Sequence, residues 1–229
     1  MDSWIPVSTG QAALASVSGV MMIFESDTPL EWGALDLPML GIGCDWHGAP
    51  MEPVPGYALA CDPGHLWFVA HHRAPARSHP DSRPGLFCAD LWVHDVAEFF
   101  LLDPASGRYL EFNLAANAAW WSCEFTAARQ RADSADVAVP GVRTWADLSP
   151  DGAWLAAMAV PLDVLRARIG FGAATRMNVC MILGTPEQRF FSAIPLGLGD
   201  PDFHRPESFA EVRFQPLSGL GWGGDPPGL

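Results

Sequence analysis

The chain has 229 residues, 49% of them hydrophobic, and carries 26 acidic against 13 basic residues for a net charge of −13. That balance repels phosphate backbones and anionic headgroups, so it argues against nucleic acid and membrane surfaces as partners and leaves neutral or cationic small ligands. The length fits one large all-β domain or two small ones, and the apolar content is ample for a core.

In chain order, the first apolar run is GVMMIF (19–24). It lacks a basic leader and a small-residue cleavage site, so it does not read as a signal peptide. No window approaches the length of a membrane span. The expected location is cytoplasmic, or secreted if the N-terminus has been trimmed. The five cysteines, Cys44, Cys61, Cys88, Cys123 and Cys180, are widely spaced, odd in number and flanked by core-like residues, with no CxxC among them. Buried free thiols are the expectation. Ten Trp and 13 Phe exceed what an ordinary core requires, which places some rings at a surface.

Pro and Gly interrupt the chain at short intervals, and no helical pattern runs beyond about three turns, as in antiparallel sandwiches and barrels. YALACDPGHLWFVA (57–70) reads as a hairpin turning on Asp62-Pro63-Gly64. His71 and His72, adjacent in a strand, point to opposite faces and cannot chelate one ion together. RAPARSHPDSRPG (73–85) reads as a long surface loop.

LWVHDVAEFF (91–100) then poses a problem, because Asp95 and Glu98 interrupt an apolar strand. In one straight strand Trp92 and Glu98 would lie about 20 Å apart, at roughly 3.3 Å per residue. If the strand instead starts at Val96, residues 92–95 form an exposed loop. Trp92 can then fold back over the sheet toward Glu98, and Asp95 sits at a solvated strand start. A Trp face beside a carboxylate suits a sugar: the ring covers the apolar C–H face and the carboxylate accepts from vicinal hydroxyls.

GRYLEFNLA (107–115) alternates Leu110, Phe112 and Leu114 against Tyr109, Glu111 and Asn113. WWSCEFT (120–126) sets Trp121, Cys123 and Phe125 against Trp120, Ser122 and Glu124, dividing the two Trp between core and rim. Trp154 to Val160 reads as a strand. Pro161 follows at a first helical position, with Leu162, Leu165 and Ile169 on one side and Gly170 as a stop. Strands are expected over 176–183, 189–194 and 209–214. The tail 219–229 reads as mobile, after a single domain over 1–218.

The order of these pieces, ending in DPDFHRPESF (200–209), resembles the family 9 carbohydrate-binding modules and their DOMON-like relatives over roughly residues 30–214. The resemblance implies an all-β antiparallel sandwich of two sheets with one short helix. It also implies non-catalytic binding of a mono- or oligosaccharide, with a terminal sugar gripped between two aromatic rings. On that pattern one ring is Trp92, with Glu98 in the strand behind it. The other is Phe203, three residues before Pro206. Asp200 falls where some members place a sugar-bonding polar side chain. Asn113 stands where an Arg can occur and Cys180 where a Gln can. Some members bind structural calcium, for which Asp200, Asp202 and Glu207 supply oxygen atoms without a regular loop spacing.

Each candidate also has a plain structural reading. Trp92 can plug a core end, Glu98 can pair with an Arg, and Phe203 with His204 can anchor the C-terminal segment. DOMON-like domains include haem-binding electron-transfer modules, for which Met177 and Met181 with His94 or His204 are the ligand candidates. A sandwich that has lost its ligand and serves as an interaction domain is the third reading. No G-x-S-x-G, H-E-x-x-H, P-loop or G-x-G-x-x-G signature is present, so catalysis is not expected.

Overall fold

The computed structural model describes residues 19–133 and 136–217; the expected mobile tail at 219–229 lies outside them. Thirteen strands among these residues form one continuous, curled sheet. The hairpin at 57–70 is present as β3 (Gly56–Cys61) and β4 (His65–His72). The Asp62 carboxylate organises its turn: Oδ1 accepts from the N–H of Gly64 and of His65, both at 2.7 Å. Oδ2 accepts from Trp67 Nε1 at 2.8 Å and Leu30 N at 3.1 Å. β9 (Arg143–Leu148) and β10 (Trp154–Pro161) extend this half by pairing in the order β3-β4-β10-β9.

The other half holds β5 (Val96–Leu102), β6 (Tyr109–Ala115), β7 (Trp120–Ala127), the short β8 (Gln130–Arg131), β11 (Arg176–Leu183) and β12 (Arg189–Ser192). Its order is β8-β7-β6-β5-β11, with β12 also against β11. Two strands distant in sequence join the halves: β13 (Ala210–Pro216) lies beside β11, and β1 (Val20–Glu25) lies between β13 and β3. A two-residue β2 (Leu40–Gly41) adds to β3.

β1 runs parallel to both β13 and β3, so the sheet is mixed, which corrects the expectation of an antiparallel one. Neither β1 nor β9 was expected as a strand. The apolar run at 19–24 has no alternation to mark it, and β9 carries Asp147 and Arg143 on an exposed edge.

The sheet curls so that its two halves share one core. Phe68 of β4 meets Phe99 of β5 with ring centroids 4.9 Å apart, and Phe99 stacks on Phe112 of β6 at 4.7 Å. The α-helix α1 (Leu162–Ile169) closes this core with Leu162, Leu165 and Ile169. Gly170 ends it in the left-handed conformation, φ 59°, which glycine adopts without strain. Pro161 is its cap, one position earlier than the sequence suggested. No helix among the described residues is long and apolar enough to cross a membrane.

Both outward faces are also covered. The β3-β4-β10 face presents small residues, Ala58, Ala60, Ala157 and Ala159, under a stack of Trp67, Trp145 and Trp32 spaced 5.2 and 6.3 Å. The β11-β5-β6-β7 face carries a second apolar cluster that includes Phe100, Tyr109, Trp121, Phe125 and Ile182, beneath Leu91, Leu196, Phe203 and Phe209. Every residue of β5 and β6 is buried as a result. The Tyr109, Glu111 and Asn113 face of β6 lies away from the shared core, but it is roofed.

Candidate functional site

The roof over the β11-β5-β6-β7 face is incomplete, and the gap is a pocket of about 370 Å³. Strand register sets its floor. Cys180 of β11, Glu98 of β5, Asn113 of β6 and Trp121 of β7 stand opposite one another in a single row across four strands. Glu111, two residues before Asn113, shares its face and is the diagonal neighbour of Glu98, within reach of a long side chain. Glu98 and Glu111 both line the pocket at 3% and 5% exposure.

Burial pushes both carboxyl groups well above the usual range, and the proximity of Glu111 raises Glu98 further. A bond from the Asn113 amide to Glu111 and the more distant Arg131 and Arg129 oppose the shift of Glu111 without cancelling it. Turned to satisfy its neighbours, the Asn113 amide donates to Glu111 Oε1 and to Phe112 O, both at 3.1 Å.

A chain of polar groups descends from the rim. The Arg129 N–H donates to Tyr109 Oη at 3.1 Å, and that hydroxyl meets His204 Nδ1 at 2.7 Å. The other ring nitrogen of His204, Nε2, lies 3.6 Å from Glu111 Oε2. Burial, reinforced by Arg129, lowers His204 to about 4, so the ring is neutral at pH 7. The hairpin that ends β7 carries both rim arginines, and each is already paired. Arg129 Nη2 bonds Asp202 Oδ1 at 2.8 Å, and Arg131 bonds Asp136. Arg131 also lies over the Trp121 ring, 5.6 Å from its centroid. Trp121 Nε1 is buried with no hydrogen-bond partner among the described residues.

Aromatic rings form the walls. Trp92 sits on a single 3₁₀ turn, Leu91–Val93, and is 52% exposed at the mouth. Phe203 forms another wall against Phe190, 6.0 Å away, and is backed by Trp46 at 6.3 Å. Asp95 holds the Trp92 turn in place, and here the expectation of a solvated acid is overturned. Asp95 is 4% exposed. Its Oδ1 accepts from Thr185 N at 2.8 Å and its Oδ2 from Arg77 N at 3.0 Å, tying the strand start to two other loops. Gln188 Nε2 donates to Trp92 O at 3.2 Å from the same side.

The structure thus brings Trp92, Glu98 and Phe203 to one pocket, and Glu98 has no arginine partner. Asn113 belongs to the floor, turned toward Glu111 and not lining the cavity. Asp200 is exposed outside the pocket, and only its backbone carbonyl is engaged, by Arg205. Asp202 lines the pocket but is held by Arg129 and by the His204 N–H at 2.9 Å. Glu207 is exposed on a separate 3₁₀ turn, Pro206–Ser208. No three His, Cys, Asp or Glu side chains converge as metal ligands among the described residues.

Met177 and Met181 lie in the core between the two halves, whereas His204 covers the outer face of the same sheet. They occupy opposite sides of β11, so Met177 and Met181 do not share a face with His204. Cys44 is exposed and Cys88 partly so, against the expectation of five buried thiols.

Sequence reasoning missed Glu111, Trp121, Phe125 and Phe190 as pocket residues, and the rim pair Arg129 and Arg131. Alternation in YLEFN had already put Glu111 on the face of Asn113, so that signal was available. A larger apolar groove of about 660 Å³ runs along β1, β2 and residues 192–197. Its partly exposed acid, Asp45, is paired with Arg189 at 2.8 Å.

No family model and no curated protein matches the sequence. Solved structures do match. A candidate carbohydrate-binding protein from Bacteroides uniformis ATCC 8492 superposes with a TM-score of 0.66 at 18% identity, over 86% of this chain and 99% of the other. A family 9 carbohydrate-binding module from Caldicellulosiruptor kristjanssonii in complex with glucose gives 0.57 at 12% identity, over 86% and 96%. Another structure of a family 9 module from that organism, in complex with cellotriose, gives 0.55 at 13%, over 91% and 100%. The chain has the fold of the family 9 carbohydrate-binding modules. At these identities the likeness concerns the family 9 fold, and the pocket has to be judged on its own residues.

Proposed function

We propose that this protein is a non-catalytic sugar-binding module whose pocket takes a terminal sugar residue between Trp92 and the Phe203–Phe190 wall. The observation that carries this reading is the meeting of Trp92 and Glu98 with Phe203, more than 100 residues further along the chain, in one pocket of a family 9-type fold. The half-exposed Trp92 ring offers a flat apolar face to the C–H side of a pyranose, and the Glu98–Glu111 floor hydrogen-bonds its hydroxyls. The neighbours bound to glucose and cellotriose support neutral hexoses as a starting panel.

Isothermal titration with mono- and disaccharides, with and without calcium, tests the reading. Trp92 is exposed and carries little of the core, so Trp92→Ala should weaken binding at least tenfold while moving stability by less than about 0.5 kcal/mol. Unchanged affinity in that variant would remove Trp92 from the site. Dependence on calcium would revive the oxygen atoms of Asp200, Asp202 and Glu207 as ligands. The second reading, an interaction domain that has lost its sugar, is favoured by Asn113 being turned away from the cavity and by the thiol at 180. A folded protein that gives no heat with any sugar would support it.

A further inference from the structure

The described residues contain five buried acids: Asp62, Asp95, Glu98, Glu111 and Glu124. Three are fully engaged. Asp62 accepts four N–H groups and Asp95 accepts two backbone N–H groups. Glu124 accepts from the guanidinium groups of Arg108 and Arg168, with Arg108 Nε at 2.9 Å and Arg168 Nη1 at 3.0 Å. Glu98 and Glu111 differ from these. The chain has no lysine, and all 13 arginines fall within the described residues, so every side-chain cation but histidine is accounted for. None of them lies within 4 Å of either carboxyl group. The pocket arginines, Arg129 and Arg131, are closed by Asp202 and Asp136.

Buried acids are ordinarily paired, and two without a counter-ion at the floor of an open pocket leave room for a cation from outside. Five aromatic residues line the same cavity, Trp92, Trp121, Phe125, Phe190 and Phe203, and aromatic faces attract cations as well as sugar rings. The chain's net charge of −13 favours a cationic ligand at longer range.

Resting on the sugar reading above, we infer that the pocket selects a sugar bearing a free amino group, whose ammonium pairs with Glu98 and Glu111. Without ligand Glu111, which burial raises to about 8, holds a proton at pH 7. An arriving ammonium takes the place of that proton, which leaves to solvent. The other titratable or charged groups around the pair are His204 and Asp202 from the loop before β13, Tyr109 on β6, Cys123 on β7 opposite Glu111, Arg129, Arg131 and Asp136 near the β7–β8 hairpin, and Cys180 on β11. The neutral His204 ring and the two buried thiols, both raised by burial, do not compete with an ammonium at pH 7. The two paired arginines face the acids of the rim.

The test is isothermal titration at pH 7 with glucosamine, glucose, N-acetylglucosamine, glucuronate and the non-sugar cyclohexylamine, on the wild-type chain and on Glu98→Gln. Gln has the shape of a protonated Glu, so the variant keeps the fold, as circular dichroism will verify. Glucosamine is expected to bind about tenfold to a hundredfold tighter than glucose or N-acetylglucosamine, the usual advantage of a charge-assisted bond. Paired titrations in buffers of different ionisation enthalpy should show proton release with glucosamine and none with glucose. In Glu98→Gln the glucosamine-to-glucose ratio should fall to about one.

Glucose binding as tightly as glucosamine would overturn the amine preference and leave the sugar reading intact. Tightest binding of glucuronate would overturn it in favour of the rim arginines. Cyclohexylamine binding alone would overturn the sugar reading and keep only the amine site. No binding by any of the five would sink both.

Discussion

The Asp62 turn and the Glu98–Glu111 floor bury carboxyl groups in the same sheet, and only the first is built to hold a charge. Burial pushes Asp62 up, but the indole of Trp67 and the N–H groups of Leu30, Gly64 and His65 outweigh it and hold the acid below its usual range. At the pocket floor burial meets no comparable set of donors, and both glutamates are displaced upward. An acid that serves the fold is saturated by N–H donors, as Asp62 is by four. An acid left available to a ligand lacks such a set and stays protonated until something arrives.

The sharpest way to break this comparison is Asp62→Ala, which leaves four donors without their acceptor. It should lower stability by about 3 kcal/mol or more in urea unfolding with an unchanged m-value. A loss below about 1 kcal/mol would show that the turn does not depend on its acid.

The double change Glu98→Gln, Glu111→Gln should act in the opposite sense, and its sign depends on pH. The folded pair titrates above the unfolded value of about 4.3, so its contribution is fully present below that value. It is lost as pH rises through the raised folded values. The Gln variant loses nothing at high pH, so it should be more stable than wild type by on the order of 2 kcal/mol at pH 8 and no more stable at pH 4. Asp62 runs the other way: its contribution is present above about 3.9 and is lost as pH falls through its lowered folded value. Stability curves measured from pH 3 to 8 on both variants separate the two.

Asp95→Ala should cost about 2 kcal/mol by freeing the N–H groups of Arg77 and Thr185. It should also weaken sugar binding by loosening the turn that carries Trp92, and unaltered affinity would detach the turn from the site. The smallest effect is expected from thiol labelling in the native state. Cys44 is exposed and should react fast with no change in stability. Cys61, which burial raises to about 12, and Cys180, which burial also raises strongly and Glu98 further, stand beside the two acid sites. Both should label slowly. Asp62→Ala should speed Cys61 more than Cys180, and Asp95→Ala should do the reverse.

Local features of this architecture were legible in the sequence. The hairpin around Asp62, the strand start at Val96, the alternation at 109–115 and the Pro161–Gly170 helix all follow from neighbours a few residues apart. Trp92, Glu98 and Phe203, which line one pocket, were singled out through the order of motifs rather than any single one. What escaped depends on partners remote in sequence. Asp95 looked solvated because the N–H groups its carboxylate accepts come from Arg77 and Thr185, 18 and 90 residues away. The parallel pairing of β1 needs a strand at the other end of the fold, and Glu111 becomes a pocket residue only when register sets it diagonal to Glu98. Met177 and Met181 could be assigned a shared face, but nothing local told which face was the core.

The pairing of β1 with β13 also fixes when this fold can be completed. Val20–Glu25 is made before every other strand described, yet the strand it matches along its whole length, Ala210–Pro216, is the last of them. Its other partner, β3, meets it at only two residues, Phe24 and Glu25. Throughout synthesis the two halves of the sheet can form their own hairpins but have no hydrogen-bonded seam between them. An apolar β1 left unpaired for that interval is an open strand edge, the kind of surface that holdase chaperones occupy and that drives nascent chains to aggregate.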